Sequence, residues 1–509
     1  MESKMNRTGF RTNFGDTSHA VVGRCTNRWQ RACAVFLVLA AAAIAASAQT
    51  FTVVTDFDGD HGANPGVLGD MTLVQGLDGN LYGTTFNGGA TGHGVVFKVA
   101  GGILNALHSF ADTAAEGGYP VGGLVLATNG NFYGTTSVGG TDSDGTVYRI
   151  SSHGVLKTLH SFNGIAGQDP WDHLIQGTDG KFWGTTTSGG SVGDGTAFKM
   201  TAAGVLATVH NFAGGAGDGF LPVDALVQGT DGNFYGTTVQ GGVNSGAGII
   251  FKMTPAGAVN VLHSFDSGGD PSDGYQPRGG LVEGLDGNLY GTATGGGSPG
   301  GGPGTIFRIT PSGTFTKLYS FAGYPGDGAS PYDGLTLGSD GNFYGTTLNG
   351  GSAAAACNCG TIFQITPGGT YKMLYSFTGK ADGRVPFNGL MQGTDGNFYG
   401  ATTAGGNTTN AKCVYDATQT CGTVFSLSMG LGPFVSALPA SGKAGKAVKI
   451  LGNSLTGATA VNFNGTAAAF HVVSSTEITT KVPAGATTGY VTVTTPSGML
   501  SSNIPFRVP

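Results

Sequence analysis

Charge is scarce in this sequence. Asp, Glu, Lys and Arg make up 11% of its 509 residues, so solubility must rest largely on Thr, Ser, Asn and Gly. Beyond residue 48 there is no Lys/Arg cluster, which excludes the electrostatic footprint of a protein that binds nucleic acid or anionic lipid. Beyond the same point no apolar run approaches the roughly 20 residues that a membrane span takes. No glycine-rich stretch ends in the Gly-Lys-Ser/Thr of a phosphate cradle. No His or Lys recurs beside the repeated Thr pairs, such as Thr135-Thr136, as a threonine nucleophile would require.

The one apolar run lies near the start. Arg24, Arg28 and Arg31 precede Ala32 to Ala46, and Ala46-Ser47-Ala48 has the small-x-small form of an export-signal cleavage site. Residues 1–48 are therefore expected to be a signal peptide cleaved after Ala48, which places the protein outside the cell or on its surface. This segment holds six of the 24 Lys/Arg and two of the 30 Asp/Glu. Its removal leaves 18 basic and 28 acidic residues, a net charge near −10.

Glycine is what the chain has in excess: 95 residues, about 19% against roughly 7% in an average protein. Disorder is a poor account of it, because aromatic residues make up 10% and recur at fixed places. One phrase, Asp78-Gly-Asn-Leu-Tyr-Gly-Thr-Thr85, returns from Asn129, Asp179, Asp231, Asp286, Asp340 and Asp395, at intervals of 50 to 55 residues. Such a period indicates blades or solenoid coils. In the unit around Asp286, Gly280–Gly284 reads as a first strand and Asp286-Gly287-Asn288 as a tight turn. Leu289–Thr292 returns as a second strand, and a glycine-rich loop of variable length follows. Gly304–Ile309 and Phe315–Phe321, rich in residues that suit pleated surfaces, are the third and fourth. Four short antiparallel strands make one propeller blade.

The ends favour a ring over a solenoid. The seventh unit stops after its third strand, Gly422–Leu427, while Phe51–Phe57 matches the fourth-strand pattern and belongs to no preceding unit. Pairing the two completes the seventh blade and covers an open edge. The expected fold is all-β: a seven-bladed propeller over residues 49–431, closed by an N-terminal strand, then a β-sandwich over 432–509.

The recurring G-N-F-Y-G-T-T, the GG pair and the later G-T-[VI]-F resemble the GloVer-type tandem repeat of bacterial extracellular proteins, across about residues 51–428. That resemblance implies an extracellular location and no particular activity. After Gly432 the wording changes to Pro433–Gly442, Val448–Leu455, Val461–Gly465, Ile478–Pro483 and Gly489–Gly498. These resemble an IPT/TIG domain, an immunoglobulin-like sandwich used as a spacer or docking unit; their period-2 alternation independently indicates strands.

Candidate sites are few. His108, His160, His210 and His263 share a fourth-strand slot that later holds Tyr319 and Tyr375, and Asp56 in the N-terminal strand. This reads as a hydrogen-bonding position on the outer part of a blade. The connections between units carry Asp/Glu-Gly-x-x-Pro at Glu116, Asp218, Asp273, Asp327 and Asp382. That is turn chemistry, or else a ring of carboxylates on a ligand-binding face. Calcium is the one cofactor suggested, through that ring or through Asp56, Asp58 and Asp60, which lack the distal Glu of a calcium loop. In an exported chain the last four cysteines are expected to form disulfides, Cys413–Cys421 and Cys357–Cys359, with Cys359–Cys421 as the competing pairing. The leading functional reading is a monomeric, non-enzymatic binding or adhesion protein for an extracellular glycan or protein, contacting it with the variable-loop rim. Its rivals are a propeller enzyme acting on polysaccharide or lactone, and a purely structural surface component.

Overall fold

A computed structural model describes residues 49–66, 71–243, 246–266, 271–298, 301–407, 410, 411, 413 and 420–509. The expected signal peptide and its cleavage residue Ala48 lie outside the described residues. Among the described residues, strands carry the fold and the only helical elements are two short 3-10 turns.

The repeats form seven four-stranded antiparallel sheets. Their first strands are Val74–Gln75, Val125–Leu126, Ile175–Gln176, Val227–Gln228, Val282–Glu283, Thr336–Leu337 and Met391–Gln392. In the fifth sheet the expected strands appear as Val282–Glu283, Leu289–Ala293, Thr305–Ile309 and Phe315–Ser320, in that order across the sheet. The second strand is buried on both faces, as it must be when each sheet is sandwiched between neighbours.

The repeated phrase can be read residue by residue. Asp286 accepts the Asn288 backbone N–H at 3.1 Å, the Asn288 side-chain amide at 2.7 Å and the Tyr290 hydroxyl at 2.8 Å. Gly287 sits at φ +76°, which favours glycine. The Tyr290 ring stacks 4.0 Å from Phe343 of the next sheet. At Gly291 a Cβ would lie 2.7 Å from Phe307 and 2.8 Å from Leu281, so the third-strand aromatic needs the glycine. Thr292 donates its hydroxyl to the Asp333 carbonyl at 3.0 Å, tying this sheet to the connection that enters the next.

The N-terminal strand, Thr50–Asp56, pairs antiparallel with Thr423–Ser428 and is the outermost strand of the seventh sheet. Phe57, just after it, meets Phe97 of the first sheet at 5.1 Å, edge to face. The same fourth-strand contact joins Phe110 to Tyr148 (5.2 Å), Phe212 to Phe251 (5.4 Å) and Phe377 to Phe425 (5.4 Å). A second recurring link runs from a turn amide to the next sheet's first-strand glutamine: Thr178 N–H to Gln228 at 2.8 Å and Ser339 N–H to Gln392 at 2.8 Å. Thr394 N–H makes this link to Gln75, at 2.9 Å, from the seventh sheet to the first. One core holds Phe57, Met71, Leu73 and Phe97 together with Ala401, Cys413 and Val424.

From Ser436 onward two further four-stranded sheets face each other over Val448, Ile450, Val461, Phe463, Ile478 and Val493, an immunoglobulin-like sandwich. It lies against the Asp-Gly-Asn rim of the repeats. Thr476 donates its hydroxyl to the Leu77 carbonyl at 2.7 Å, Arg507 reaches the Gly229 carbonyl at 3.2 Å, and Phe434 N–H the Thr394 carbonyl at 3.0 Å. Leu451 is buried in one core with Tyr82, Leu126 and Phe132.

Candidate functional site

With the sandwich on one rim, the opposite rim carries the variable loops and the acidic connections. On it, a two-residue ribbon often pins connection to loop: Gly117–Gly118 pairs with Val138–Gly139, and Gly219–Phe220 with Gln240–Gly241. The first glycine of this GG signature therefore has backbone against it; a Cβ on Gly241 would lie 2.7 Å from the Gly219 Cα.

The acidic residues and the fourth-strand His/Tyr slot are one device. His210 Nε2 and Asp218 are 3.0 Å apart, His263 Nε2 and Asp273 2.8 Å, and His108 Nε2 and Glu116 3.2 Å. Tyr319 donates to Asp327 at 2.8 Å and Tyr375 to Asp382 at 3.0 Å. The same carboxylates accept loop amides: Ala213 on Asp218 at 3.1 Å, Ala322 on Asp327 at 2.8 Å, and Thr378 on Asp382 at 2.8 Å. Asp327 is only 5% exposed. Each acid thus ties its own connection to its own outer strand, and the five are not brought together.

Two units break the pairing. In the second, Ala166 occupies the acid's place, so His160 Nε2 is buried without a hydrogen-bond partner and burial pushes this imidazole below the usual histidine range. At the N-terminal strand the expected placing of Asp56 in the histidine slot is corrected by the register: Thr55 pairs with Val424 as His160 does with Val147, Asp56 pairs with Thr423 as Ser161 does with Thr146, and His61 stands in the acidic place. His61 turns to Asp58 instead, with Nδ1 at 2.6 Å and its backbone N–H at 2.7 Å. Burial would raise the Asp58 carboxyl, but these bonds outweigh it and hold it below the usual carboxylate range. Asp56 accepts the Asn407 N–H at 3.3 Å. Asp56, Asp58 and Asp60 do not converge as a cation site; among the described residues no group of three or more His, Cys, Asp or Glu is placed to hold a metal ion.

The cysteines are bonded within their loops, Cys357 to Cys359 and Cys413 to Cys421. Cys413 and Cys421 are fully buried in the core shared by the first and seventh sheets.

A second set of residues went unread in the sequence. It follows the connection's proline in fixed register: Pro170-Trp171-Asp172, Pro222-Val223-Asp224, Pro331-Tyr332-Asp333 and Pro386-Phe387-Asn388. That register was the available signal. The first position carries half-buried Trp171, Arg278 and Tyr332. Arg278 donates to the Tyr332 hydroxyl at 2.9 Å and covers its ring at 5.1 Å, while Phe387 meets that ring edge-on at 5.0 Å. The second position carries Asp172, Asp224 and Asp333, 1–4% exposed. Each turns one oxygen onto the N–H of the following residue, at 2.5 to 2.7 Å. From here the chain enters the first strands, which together bound two cavities of about 270 and 380 Å³.

The Gloeobacter/Verrucomicrobia repeat matches this sequence over residues 41–190, 74–300, 172–415 and 270–467. The chain belongs to that repeat family. An IPT/TIG domain matches residues 433–508, where the sandwich lies. No curated protein matches. Among solved structures, a fungal alcohol oxidase of the AA5 family in complex with copper is similar at 13% identity, covering 87% of this chain and 98% of its own, with a TM-score of 0.48. A putative 6-phosphogluconolactonase from Bacteroides uniformis is similar at 18% identity, covering 69% and 98%, with a TM-score of 0.42. The periplasmic gluconolactonase of Pseudomonas aeruginosa is similar at 15%, covering 61% and 85%, with a TM-score of 0.39.

Proposed function

We propose that this repeat protein is exported and acts outside the cell as a non-enzymatic binding protein, its seven sheets closed into a propeller whose variable-loop rim recognises a glycan. The observation that carries the reading is the placement of the sandwich. It lies on the Asp-Gly-Asn rim, where Thr476, Arg507 and Phe434 hold it, and so leaves the other rim for recognition. There the loops differ in length and chemistry while their bases are pinned, the common design of a recognition surface on a rigid scaffold. The five connection acids serve that pinning. Contact falls instead to Trp171 and Tyr332, flat rings beside polar groups that suit the apolar faces and hydroxyls of a sugar. Disulfides within the loops and the expected signal peptide both agree with an oxidising, extracellular setting.

The test is a glycan array with purified residues 49–509, followed by Trp171→Ala and Tyr332→Ala. Each variant is expected to lose at least about tenfold in affinity, as central aromatic anchors do. Folded variants that bind as the parent does would refute the assignment. An enzymatic reading has one observation in its favour: Asp224, Asp333 and His173 stand in the wall of one cavity. Turnover of a polysaccharide or lactone by the parent, lost in Asp224→Asn, would favour it instead.

A further inference from the structure

The two cavities between the first strands lie next to each other, sharing Thr72, His173 and Ile175 in their walls. The larger, about 380 Å³, is bounded on one side by Phe434, Leu438 and Leu451 of the C-terminal sandwich, so it is a chamber shared by the two domains. Its wall is mostly apolar. The opening residues of four first strands stand in it, Val74, Val125, Ile175 and Met391, each half-buried, while Val227 and Val282 stand in the wall of the smaller cavity. A water-filled channel gains nothing from apolar side chains at these positions. At about 380 Å³ the chamber exceeds the roughly 150 Å³ apolar cavity that stays dry and takes up benzene, and it falls within the size range of small-molecule sites.

The smaller cavity differs in charge. Asp224 and Asp333 stand in its wall, Asp172 directly precedes the shared His173, and no Lys or Arg is among the described residues lining either cavity. A group entering here meets carboxylates on one side and the apolar chamber on the other. An anion would be repelled, and a neutral alkyl group alone would leave the carboxylate end unmatched.

We infer that this composite cavity binds a small amphipathic cation, with its aliphatic chain in the chamber beneath the sandwich and its ammonium-type head toward Asp224 and Asp333. The Gly280 and Gly389 backbones leave the space in which those carboxylates lie: a Cβ on Gly280 would sit 3.0 Å from Asp224, and one on Gly389 3.1 Å from Asp333. The site is distinct from the variable-loop rim and does not depend on what that rim binds.

The probes are n-alkylammonium ions from butyl to decyl, titrated calorimetrically into purified residues 49–509, with n-alkanols and n-alkanoates of equal length as comparisons. Ammonium affinity is expected to rise about fourfold per added methylene and to level off once the chain fills the chamber. Alkanols should bind more weakly and alkanoates weakest. Ser436→Phe, which projects a ring from the sandwich side of the chamber, should bring the plateau to a shorter chain. Asp224→Asn with Asp333→Asn should abolish the preference for ammonium over alkanol while leaving alkanol affinity in place. Absence of binding across the unmodified protein's ammonium series would overturn the inference without recourse to any variant. So would alkanoates that bind as well as ammonium ions, or a folded Ser436→Phe protein with an unchanged plateau.

Discussion

Truncating Phe57 to alanine separates a closed ring from an open array. The ring of Phe57 is completely buried and meets Phe97 across the junction between the seventh and first sheets, 5.1 Å between centroids. Phe212 makes the equivalent contact with Phe251 in the interior of the array, at 5.4 Å, and is likewise fully buried. Removing a buried phenylalanine side chain costs about 3–5 kcal/mol, from lost transfer energy and the cavity left behind. In a cooperative unit this large, each kcal/mol lowers the melting temperature by roughly 2 °C, so both Phe57→Ala and Phe212→Ala should lose about 6–10 °C. The assay is differential scanning calorimetry of residues 49–509 beside the two variants, with urea titration to check that the slope is unchanged. If Phe57→Ala melts with the parent while Phe212→Ala falls, the seventh junction is not a structural equal of the others and the reasoning fails.

Two further outcomes follow from particular contacts. Burial would raise the carboxyl of Asp231, but hydrogen bonds from Lys252, Asn233 and Tyr235 outweigh it and hold that carboxyl well below the usual range; Asp286 is lowered in the same way by Asn288 and Tyr290. Groups depressed on folding stabilise above the ordinary carboxylate pKa near 3.9 and lose that contribution as pH falls through the folded value, so their contribution to the urea midpoint should be level from about pH 7 to 5 and be lost below about pH 4. Asp231→Asn should shrink that loss; stability that rises on acidification would contradict the sign. Replacing both Cys413 and Cys421 by serine releases a short loop whose closure is worth about 2–3 kcal/mol, and calorimetry should show a lower melting temperature, which reducing agent lowers further only by what the Cys357–Cys359 bridge contributes.

Much of the fold was open to reading because each blade-forming residue acts locally and the action repeats. Asp286, Gly287 and Asn288 make a turn by themselves, and Gly291 is required by the aromatic of the adjacent strand. The orphan strand at Phe51–Phe57 pointed to its partner because the seventh unit lacked one. The rim was harder. His210 and Asp218 recur in separate motifs, one on a strand and one in a turn, and only the fold of the connection brings them to 3.0 Å. Read apart, they suggested a hydrogen-bonding slot and a possible ligand face; together they use up each other's polar groups. The docked sandwich had no clue in the sequence. Leu451 ends a strand, Thr476 lies in a bend and Arg507 in an isolated bridge of a domain that reads as self-contained, and their contact with the repeats depends on orientation, which strand patterns do not encode.

Whether the N-terminal strand completes the seventh sheet is the claim on which the rest depends, and a cross-link measures it directly. Thr52 faces Ser426 in register. Opposed residues on antiparallel strands have Cα atoms about 4.5–5.5 Å apart, within the range a disulfide spans. Arg149 and Lys157 hold the same register in the second sheet, where the two strands are consecutive in the chain, and serve as the control. Thr52→Cys with Ser426→Cys is expected to oxidise as completely as Arg149→Cys with Lys157→Cys, yielding a monomeric cross-linked peptide by mass spectrometry. Free thiols or intermolecular bridges at positions 52 and 426, with the control pair fully oxidised, would contradict the account.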